Sequence, residues 1–349
     1  MSAEAPAARP IAARALWLTA PRTAAFRSEE APPPGPGQVR VRALASAVSH
    51  GTEMLVYRGE VPRDLPLDLP TLAGGFAFPI KYGYASVGRV TDVGPAVRRF
   101  APGDAVFVLH PHQSAYVVPE TMPVRLPDGL DPLVGVFTAH VETAVNILLD
   151  TPLHLGETAL VFGQGTVGLL VGQLLKRAGA RCVIGVDPLA RRRDLARAVG
   201  VDVALSPDDD DFPACVRALT GGRGADLAIE VSGAPTALQA AIDAVAVEGT
   251  VVVASWYGTK PVTLTIGGHF HRGRVRLRSS QVGRLNPDLA PRWDYARRTE
   301  TVVELLPQLR LAELVSHRFP FARAPEAYQL LDAHPGETVQ VVLTYGDDD

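Results

Sequence analysis

The sequence predicts an α/β protein in which a β-rich domain accompanies a second domain built on a doubly wound parallel sheet. Three observations support this prediction. Short strand-like runs separated by Pro and Gly fill the N-terminal third of the chain. Apolar strands alternate with helices from Leu133 onward. A glycine-rich turn, VFGQGTVG, joins one of those strands to the helix that follows it.

The N-terminal third reads as strands and turns. Its strand-like runs are QVRVRALAS, ASVGRVTDVG, DAVFVLH and SAYVVP. Several short β-branched runs with close turn signals indicate an all-β module with many loops. The opening residues 1–15, rich in Ala and Pro, are predicted to form a flexible tail.

Beyond this module the pattern changes. The apolar runs TALVFG, CVIGVD, ADLAIEVSG and GTVVVASW alternate with the helical runs TVGLLVGQLLKRAG, LARRRDLARAVG and TALQAAIDAVA. Continuous apolar strands separated by helices indicate a buried parallel sheet covered on both faces. The alternation stops after Gly283. We therefore predict a doubly wound domain over 139–286, inserted into a β-rich domain formed by 16–138 and 287–349.

The composition excludes several classes of protein. Of 349 residues, 47% are hydrophobic and 20% are charged, which suits a folded chain with a large core. A formal net charge of −3 gives no reason to expect nucleic acid as a partner. No apolar run approaches the ~20 residues that span a bilayer, and no secretory signal is evident. Two cysteines do not make a disulfide framework, so we expect a cytoplasmic protein with no membrane partner.

The turn VFGQGTVG carries the spacing G-x-G-x-x-G. Between a strand and a helix, such glycines permit a tight turn, close approach of the backbone to a pyrophosphate, and strand–helix packing. The helix N-terminus adds unpaired N–H groups and the positive end of the helix dipole. We therefore predict a dinucleotide-binding loop, whose residues are Gly163, Gln164, Gly165, Thr166, Val167 and Gly168.

An acidic residue follows at the position that contacts the adenosine ribose in dinucleotide-binding folds. Asp187 ends the strand CVIGVD, about twenty residues beyond the last glycine, and Pro188 begins the turn after it. A carboxylate accepts hydrogen bonds from ribose hydroxyls but repels a 2′-phosphate. This favours NAD as the cofactor, whereas the basic run from Arg191 to Arg193 keeps NADP open.

The run ASAVSHGTEMLVYRG places His50, Gly51, Thr52 and Glu53 in succession between apolar segments. The Thr52 hydroxyl can both donate and accept a hydrogen bond, which suits proton transfer at a substrate oxygen. It is equally suited to bonding local backbone in a turn.

Taken together, these segments resemble the medium-chain dehydrogenase/reductase superfamily in its zinc-type, alcohol dehydrogenase-like form. The resemblance covers nearly all residues after Leu16 and rests on PPPGPGQVRVRALA, GYASVGRVTDVGPAVRRFAPGD, VFGQGTVG, FPFARAPEAYQLLDA and TVQVVLTY. It implies a GroES-like catalytic domain, a Rossmann cofactor domain, a cleft between them, and a homodimer. It also implies that Arg192 flanks the adenosine ribose and that Ser232 ends a strand at the ligand-binding edge of the sheet.

The resemblance fails at the three positions that hold the catalytic zinc in zinc-dependent members. His50, Tyr84 and Val134 stand where those members carry Cys, His, and Cys or Glu, and the segment with the structural-zinc cysteines is absent. We therefore predict that the protein uses no zinc. A zinc ion held by the imidazoles of His50, His110 and His140 stays an alternative. The segments GTE…YRG, HPHQ, VETAVN and SSQVGR resemble a zinc-free branch that includes bacteriochlorophyllide a dehydrogenase.

The resemblance suggests roles for four candidate catalytic residues. Thr52 matches the Ser or Thr that bonds the substrate oxygen and starts a proton relay. Without zinc, the developing alkoxide needs another partner, and a protonated His50 or the Tyr84 hydroxyl could supply it. His110 follows the strand DAVFVL, where the family lines its substrate pocket. Glu53 is expected to orient its neighbours or to pair with an arginine.

These features predict an oxidoreductase that transfers a hydride between NAD(P) and a small-molecule alcohol or carbonyl substrate, without catalytic zinc. Two alternatives stay open. A quinone or enoyl reductase of the same superfamily would deliver the hydride to a conjugated carbon. A non-enzymatic NAD(P)(H)-binding sensor would bind the nucleotide without turnover.

Overall fold

A computed structural model describes residues 9–62, 64–67, 74–209 and 211–346 of the chain. The strands are β1 (Ile11–Ala20), β2 (Thr23–Ala31), β3 (Gln38–Val48), β4 (Ser86–Val93), β5 (Ala105–Val108), β6 (Ala115–Pro119), β7 (Val124–Arg125), β8 (Thr158–Phe162), β9 (Cys182–Val186), β10 (Val203–Leu205), β11 (Ala225–Glu230), β12 (Val245–Val253), β13 (Arg276–Ser279), β14 (Val315–Pro320) and β15 (Gln340–Thr344). The α-helices are α1 (Thr52–Arg58), α2 (Pro132–Gly135), α3 (Thr138–Asp150), α4 (Thr166–Arg177), α5 (Ala190–Val199), α6 (Phe212–Leu219), α7 (Pro235–Ala244), α8 (His269–Arg272), α9 (Tyr295–Leu305) and α10 (Ala324–Ala333). The chain divides into two compact units, one made of residues 1–139 and 315–349 and the other of residues 140–314.

The first unit is β-rich. Its larger sheet has the order β14-β15-β3-β4-β5-β7, with β6 paired to β3, while β1 and β2 form a separate antiparallel pair. Strand β3 is central because it pairs with β4, β6 and β15 along its length. Apolar side chains of α1 and α10 pack with Leu16, Leu18 and Val341 in one buried core. This core fixes α1, whose first residue is Thr52.

The second unit contains a parallel sheet with the order β10-β9-β8-β11-β12-β13. The direction in which strands are added reverses between β8 and β11. In such sheets, ligands bind beyond the carboxyl ends of the strands at this switch point. The turn at Gly163 follows β8 and the turn at Ser232 follows β11, so the two turns lie side by side there. The α/β class predicted from the sequence, with a β-rich domain and a doubly wound parallel sheet, is confirmed.

Strand structure starts earlier than the sequence predicts. The predicted tail reaches residue 15, but β1 begins at Ile11 and pairs with β2. Ala13, Ala15 and Leu16 are buried in this strand. Residues 1–8 of the predicted tail lie outside the described residues.

The boundary between the units also differs from the prediction. Residues 287–314 belong with the parallel-sheet unit rather than with the β-rich domain. Buried Arg298 of α9 donates to the Glu142 carboxylate and to the Asn146 side-chain oxygen, each at 2.6 Å. A buried guanidinium needs such partners because burying an unpaired charge is costly. These partners precede it by 156 and 152 residues, so the linear sequence does not reveal the pairing.

One stretch, Pro132–Asp150, is long and apolar enough to cross a membrane by length and composition alone, with a mean hydropathy of 1.4. The sequence-based prediction that no apolar run has this length is therefore corrected. The stretch comprises α2 and α3, and 61% of it is buried inside the protein. Burial within the fold is typical of a core helix, which is apolar for the same reason that a membrane span is.

Candidate active site and cofactor loop

The turn between β8 and α4 has the shape that a pyrophosphate requires. Gly163 has a φ of 95°, and a Cβ there would lie 2.7 Å from the Cα of Ser232. A Cβ on Gly168 would lie 1.8 Å from the Gly163 carbonyl oxygen, whereas a Cβ on Gly165 would meet nothing within 4 Å. Two glycines therefore allow the turn to pack closely. Gly165 keeps open a side from which a phosphate can approach the backbone.

The start of α4 offers backbone N–H groups to an anion. The N-cap is Gly165, which has no side chain to cap the helix. Thr166 is buried, while Gly165 and Val167 are partly exposed. Gln164 is fully buried; its backbone N–H donates to Asp187 at 2.8 Å and its side chain donates to the Val161 carbonyl at 2.7 Å. Gln164 therefore shapes the loop, and its side chain points into the sheet.

Asp187 directly follows β9, where the sequence predicts the ribose contact. Its carboxylate accepts the N–H groups of Gln164 at 2.8 Å and Leu189 at 2.9 Å. The Arg192 guanidinium lies 3.8 Å from the same carboxylate, and Pro188 continues the turn at the surface. An ionised carboxylate accepts about four hydrogen bonds, so acceptor sites remain for ribose hydroxyls.

A buried carboxylate that the sequence analysis missed organises the turn after β11. Glu230 is fully buried and accepts the Ser232 N–H at 2.7 Å, the Ser232 hydroxyl at 2.6 Å and the Tyr257 hydroxyl at 2.6 Å. Burial, followed by the bond to Glu230, raises the pKa of Tyr257. The predicted cofactor residue Ser232 thus lies against Gly163, and its hydroxyl donates a hydrogen bond to Glu230. The stretch EVSG, with Glu230 two residues before Ser232, is the signal that could have found it.

In the β-rich unit, three hydroxyl groups meet at the start of α1. The Tyr84 hydroxyl shares hydrogen bonds with the side chains of Ser49 and Thr52. Burial, and secondarily the charge of Glu53, raises the pKa of Tyr84, while the two hydroxyl contacts oppose the shift. The phenol therefore stays protonated at working pH and is a hydrogen-bond donor rather than a base. His50 lies partly buried in the same turn.

The partners of Glu53 differ from the arginine that the sequence suggests. Glu53 is fully buried and accepts the His112 Nε2–H at 2.9 Å, the Tyr328 hydroxyl at 2.6 Å and the Ser49 N–H at 2.9 Å. The bond to Ser49 agrees with the other expectation, that Glu53 orients its neighbours. Sequence reasoning did not select His112, because 59 residues separate it from Glu53.

His110 is buried, and burial keeps its imidazole neutral. Its ring stacks on Tyr116 with centroids 3.7 Å apart, and Nδ1 lies 2.9 Å from the Pro111 carbonyl oxygen. A carbonyl only accepts, so Nδ1 carries the hydrogen and Nε2 is an acceptor. Burial lowers the pKa of His110 to about 3; the bond to Pro111 opposes this shift and the charge of Lys81 adds to it. His110 and Tyr116 line a cavity of about 290 Å³ with Lys81 and Gln113.

The structure thus joins two of the four predicted catalytic residues directly. Thr52 and Tyr84 share a hydrogen bond, and His50 lies in the turn that leads to Thr52. His110 packs on Tyr116 instead, and its neutral ring cannot stabilise an alkoxide as a cation.

The part of the chain that the structure describes offers no cluster of side chains suited to a zinc ion. Across residues 9–62, 64–67, 74–209 and 211–346 there is no group of three or more His, Cys, Asp or Glu that could hold a metal. His50 and His110 belong to the first unit and His140 to the second, so a zinc ion held by these three residues stays an alternative. The buried pair of Glu53 and His112 already satisfies its own hydrogen-bonding groups.

Family models match both units. Residues 35–151 match the alcohol dehydrogenase GroES-like domain, and residues 166–297 match the zinc-binding dehydrogenase model. The solved structure of 2R,3R-butanediol dehydrogenase from Bacillus subtilis has a TM-score of 0.79 at 22% identity, over 95% of this chain and 99% of its own, which shows the same fold.

Curated relatives extend this similarity along the chain. A D-guloside 3-dehydrogenase from Escherichia coli (strain K12) is 32% identical over 352 residues, covering 95% of this chain and 99% of that protein. An (R,R)-butanediol dehydrogenase from Bacillus subtilis (strain 168) is 30% identical over 65% of this chain and 73% of its own length. With the paired domains, the glycine loop and a relative of this similarity over nearly its full length, the chain belongs to the zinc-type, alcohol dehydrogenase-like medium-chain dehydrogenase/reductase superfamily.

Proposed function

We propose that this protein is an NAD(P)-dependent oxidoreductase that transfers a hydride between nicotinamide and an alcohol or carbonyl group without a catalytic zinc. The observation that carries the proposal is the geometry of the cofactor loop. Gly163 and Gly168 permit its close packing, and Gly165 leaves one side of the backbone open. A bound nicotinamide cofactor would supply the hydride chemistry. The protein's own residues would bind and orient the reactants and control one proton.

NAD is the cofactor that Asp187 favours. A 2′-phosphate about 4 Å from this carboxylate would meet a like charge, at a cost of about 1 to 4 kcal/mol between water-like and intermediate dielectric. Arg191 and Arg192 are the residues that would favour NADP instead. Arg193 contributes to the turn, because its guanidinium donates to the carbonyl oxygens of Asp187 at 2.8 Å and Pro188 at 2.7 Å.

Thr52 and Tyr84 would handle the proton. The Thr52 hydroxyl would exchange a proton with the substrate oxygen, and Tyr84, bonded to Thr52 and Ser49, would donate to the charge that develops there. A neutral phenol suits this task because it keeps its proton. The absence of a suitable donor group for zinc in the described ranges supports a zinc-free mechanism. His50 and His110 stay candidate pocket residues, with the His110 Nε2 as an acceptor for a substrate hydroxyl.

The substrate class we propose is a secondary alcohol on a polyhydroxylated compound. Support comes from the relatives, whose names specify a guloside and a butanediol as substrates. Similarity to the guloside dehydrogenase extends over 95% of the chain. This favours alcohol oxidation over quinone or enoyl reduction, and over a sensor that only binds nucleotide.

The proposal includes a cytoplasmic homodimer with no nucleic-acid or membrane partner. Strand β13 forms one edge of the parallel sheet. An edge strand presents unpaired N–H and C=O groups, so a second copy could pair there. The net charge of −3 supports the expectation that nucleic acid is not a partner.

A spectrophotometric panel tests the proposed reaction. Wild-type protein is assayed with NAD(H) and NADP(H) against glycosides, polyols, simple alcohols, carbonyl compounds, quinones and enones. We expect turnover of hydroxylated substrates, with NAD preferred. Turnover restricted to quinones or enones would replace this function by the reductase, and tight nucleotide binding with no turnover would replace it by the sensor.

A further inference from the structure

A network of buried polar groups lies beneath the turn that carries Thr52. Glu53 Oε1 accepts the Ser49 N–H at 2.9 Å, and Oε2 accepts the His112 Nε2–H at 2.9 Å and the Tyr328 hydroxyl at 2.6 Å. The side chains of Glu53 and His112 have no exposed surface, and Tyr328 is fully buried. The network therefore ties α1 and the turn before it to the segment after β5 and to α10.

The network continues on the far side of His112. Its Nδ1 lies 2.7 Å from the Ser46 hydroxyl, which lies 2.8 Å from the Tyr345 hydroxyl. The hydroxyls of Ser46 and Tyr345 therefore extend the network from His112 to the residue that follows β15. Close approach of the ring requires Gly83, because a Cβ there would lie 2.9 Å from His112 Cδ2.

Stability alone does not explain a carboxylate at this position. Burying a charge is costly even when it is paired, and apolar residues of similar volume often stabilise a core as well or better. Tyr328, one of the partners of Glu53, belongs to a buried apolar cluster that also contains Met54, Leu55 and Phe321. Glu53 nevertheless directly follows Thr52 in the chain.

We propose that Glu53 is a positioning residue that holds the turn before α1 so that the hydroxyls of Thr52 and Tyr84 stay aligned for proton transfer. This inference rests on the function proposed above. Ser49 connects the buried network with the hydroxyl pair, because its N–H donates to Glu53 and its side chain bonds the Tyr84 hydroxyl. A shift of Glu53 would therefore displace the partners of Tyr84.

Glu53→Gln is the central variant. The two oxygens of Glu53 face three donors, whereas a glutamine offers one oxygen and one NH₂ group. In one amide orientation the NH₂ group faces the Ser49 N–H, which cannot accept. In the other orientation His112 must change tautomer and the Tyr328 hydroxyl must turn, so the wild-type network is not reproduced. We expect kcat to fall about tenfold to a hundredfold while KM and the Kd for NAD(H) change less than about threefold.

Two further variants provide a milder change to the network and a control outside it. Tyr328→Phe removes one donor but keeps the carboxylate and the ring, so kcat should fall by a smaller factor than in Glu53→Gln. Asp92→Asn is the matched control, because buried Arg40 donates twice to Asp92, at 2.9 and 2.6 Å, between β3 and β4 of the same unit. This control should lower Tm and leave kcat unchanged.

Two readouts separate positioning from general destabilisation. Misaligned hydroxyls slow the proton step, so the solvent deuterium isotope effect on kcat should rise in Glu53→Gln and stay constant in Asp92→Asn. Hydrogen exchange at the Ser49 amide should accelerate in Glu53→Gln and not in the control, whether or not a substrate is known.

The outcomes are distinct. A folded Glu53→Gln variant with wild-type kcat, or with a change confined to Tm, would overturn the inference. If that variant does not fold, Tyr328→Phe decides: a reduced kcat with a raised isotope effect supports positioning, and unchanged values overturn it. Wild-type protein with no nicotinamide-dependent turnover would contradict the proposed function, while the Ser49 exchange rate would still test the positioning.

Discussion

Thr52 and Tyr84 form a hydroxyl pair whose members differ in what they can do. The partly buried Tyr84 has a raised pKa and keeps its proton, so it can stabilise negative charge only by donating. The Thr52 hydroxyl can donate and accept, which proton exchange with a substrate oxygen requires. The two hydroxyls differ because the pKa of Tyr84 is raised, first by burial and second by the charge of Glu53.

Removal of the Thr52 hydroxyl should therefore act on turnover. We predict that Thr52→Ala lowers kcat about 10²- to 10⁴-fold, the usual contribution of a positioned acid–base group. The Kd for NAD(H) should stay near the wild-type value, because the cofactor loop belongs to the other unit. Steady-state kinetics and nucleotide titration measure both, with Thr52→Ser as the variant that retains the hydroxyl. Wild-type turnover by Thr52→Ala would remove this residue from the mechanism.

His110 should make stability depend on pH. Its pKa is about 3 in the folded protein, compared with about 6.5 for an exposed histidine. Between these values the unfolded chain binds a proton that the folded chain does not, so stability falls as pH drops from about 6.5 toward 3. We predict that His110→Phe, which keeps an aromatic ring against Tyr116, flattens this fall by up to about 1.4 kcal/mol per pH unit.

Urea unfolding of the wild type and His110→Phe at several pH values measures that difference. The wild-type curve should decline more steeply than the variant curve in the acidic range. Parallel declines would show that His110 is not held neutral in the folded protein.

At the scale of elements, two glycines of the loop between β8 and α4 have different roles. Gly168 is required for packing, and Gly165 is expected to matter for nucleotide binding. Gly168→Ala should lower Tm, because its Cβ would lie 1.8 Å from the Gly163 carbonyl oxygen. Gly165→Ala should fold normally, since its φ of −79° suits alanine and the added Cβ has nothing within 4 Å. We predict that Gly165→Ala nevertheless raises the Kd for NAD(H) about tenfold or more, or about 1.4 kcal/mol.

Calorimetry and nucleotide titration on the two glycine variants check this separation. The expected pattern is lost stability in Gly168→Ala and lost affinity with retained stability in Gly165→Ala. Wild-type affinity in Gly165→Ala would mean that the open side of the loop is not where the nucleotide binds.

The same element shows what a sequence can predict. The strand, glycine turn and helix around Gly163 are local, so their spacing alone predicted the correct structure. The pairing of Glu53 with His112 spans 59 residues, and that of Arg298 with Glu142 spans 156. Such pairs form only when distant segments pack together, so no local sequence pattern predicts them. The domain boundary and the buried network were accordingly missed, whereas the glycine loop was found.

For the whole molecule, the two units carry different parts of the proposed chemistry. The parallel-sheet unit contains the loop and Asp187, which suit a dinucleotide. The β-rich unit contains Thr52 and Tyr84, which suit proton exchange with an alcohol. The superfamily is confirmed, while the narrower resemblance to the branch with bacteriochlorophyllide a dehydrogenase stays a prediction. Because the residues at the zinc positions differ from those of zinc-dependent members, the central question is whether this protein transfers a hydride without a metal.

Turnover by metal-depleted protein answers that question most directly. Purified protein is dialysed against a chelator, its zinc content is measured by mass spectrometry, and the same sample is assayed with NAD(H) and the best substrate of the panel. We predict that kcat does not depend on zinc content and that zinc lies far below one ion per chain. Activity that disappears on chelation and returns with added Zn²⁺ would contradict zinc-free hydride transfer.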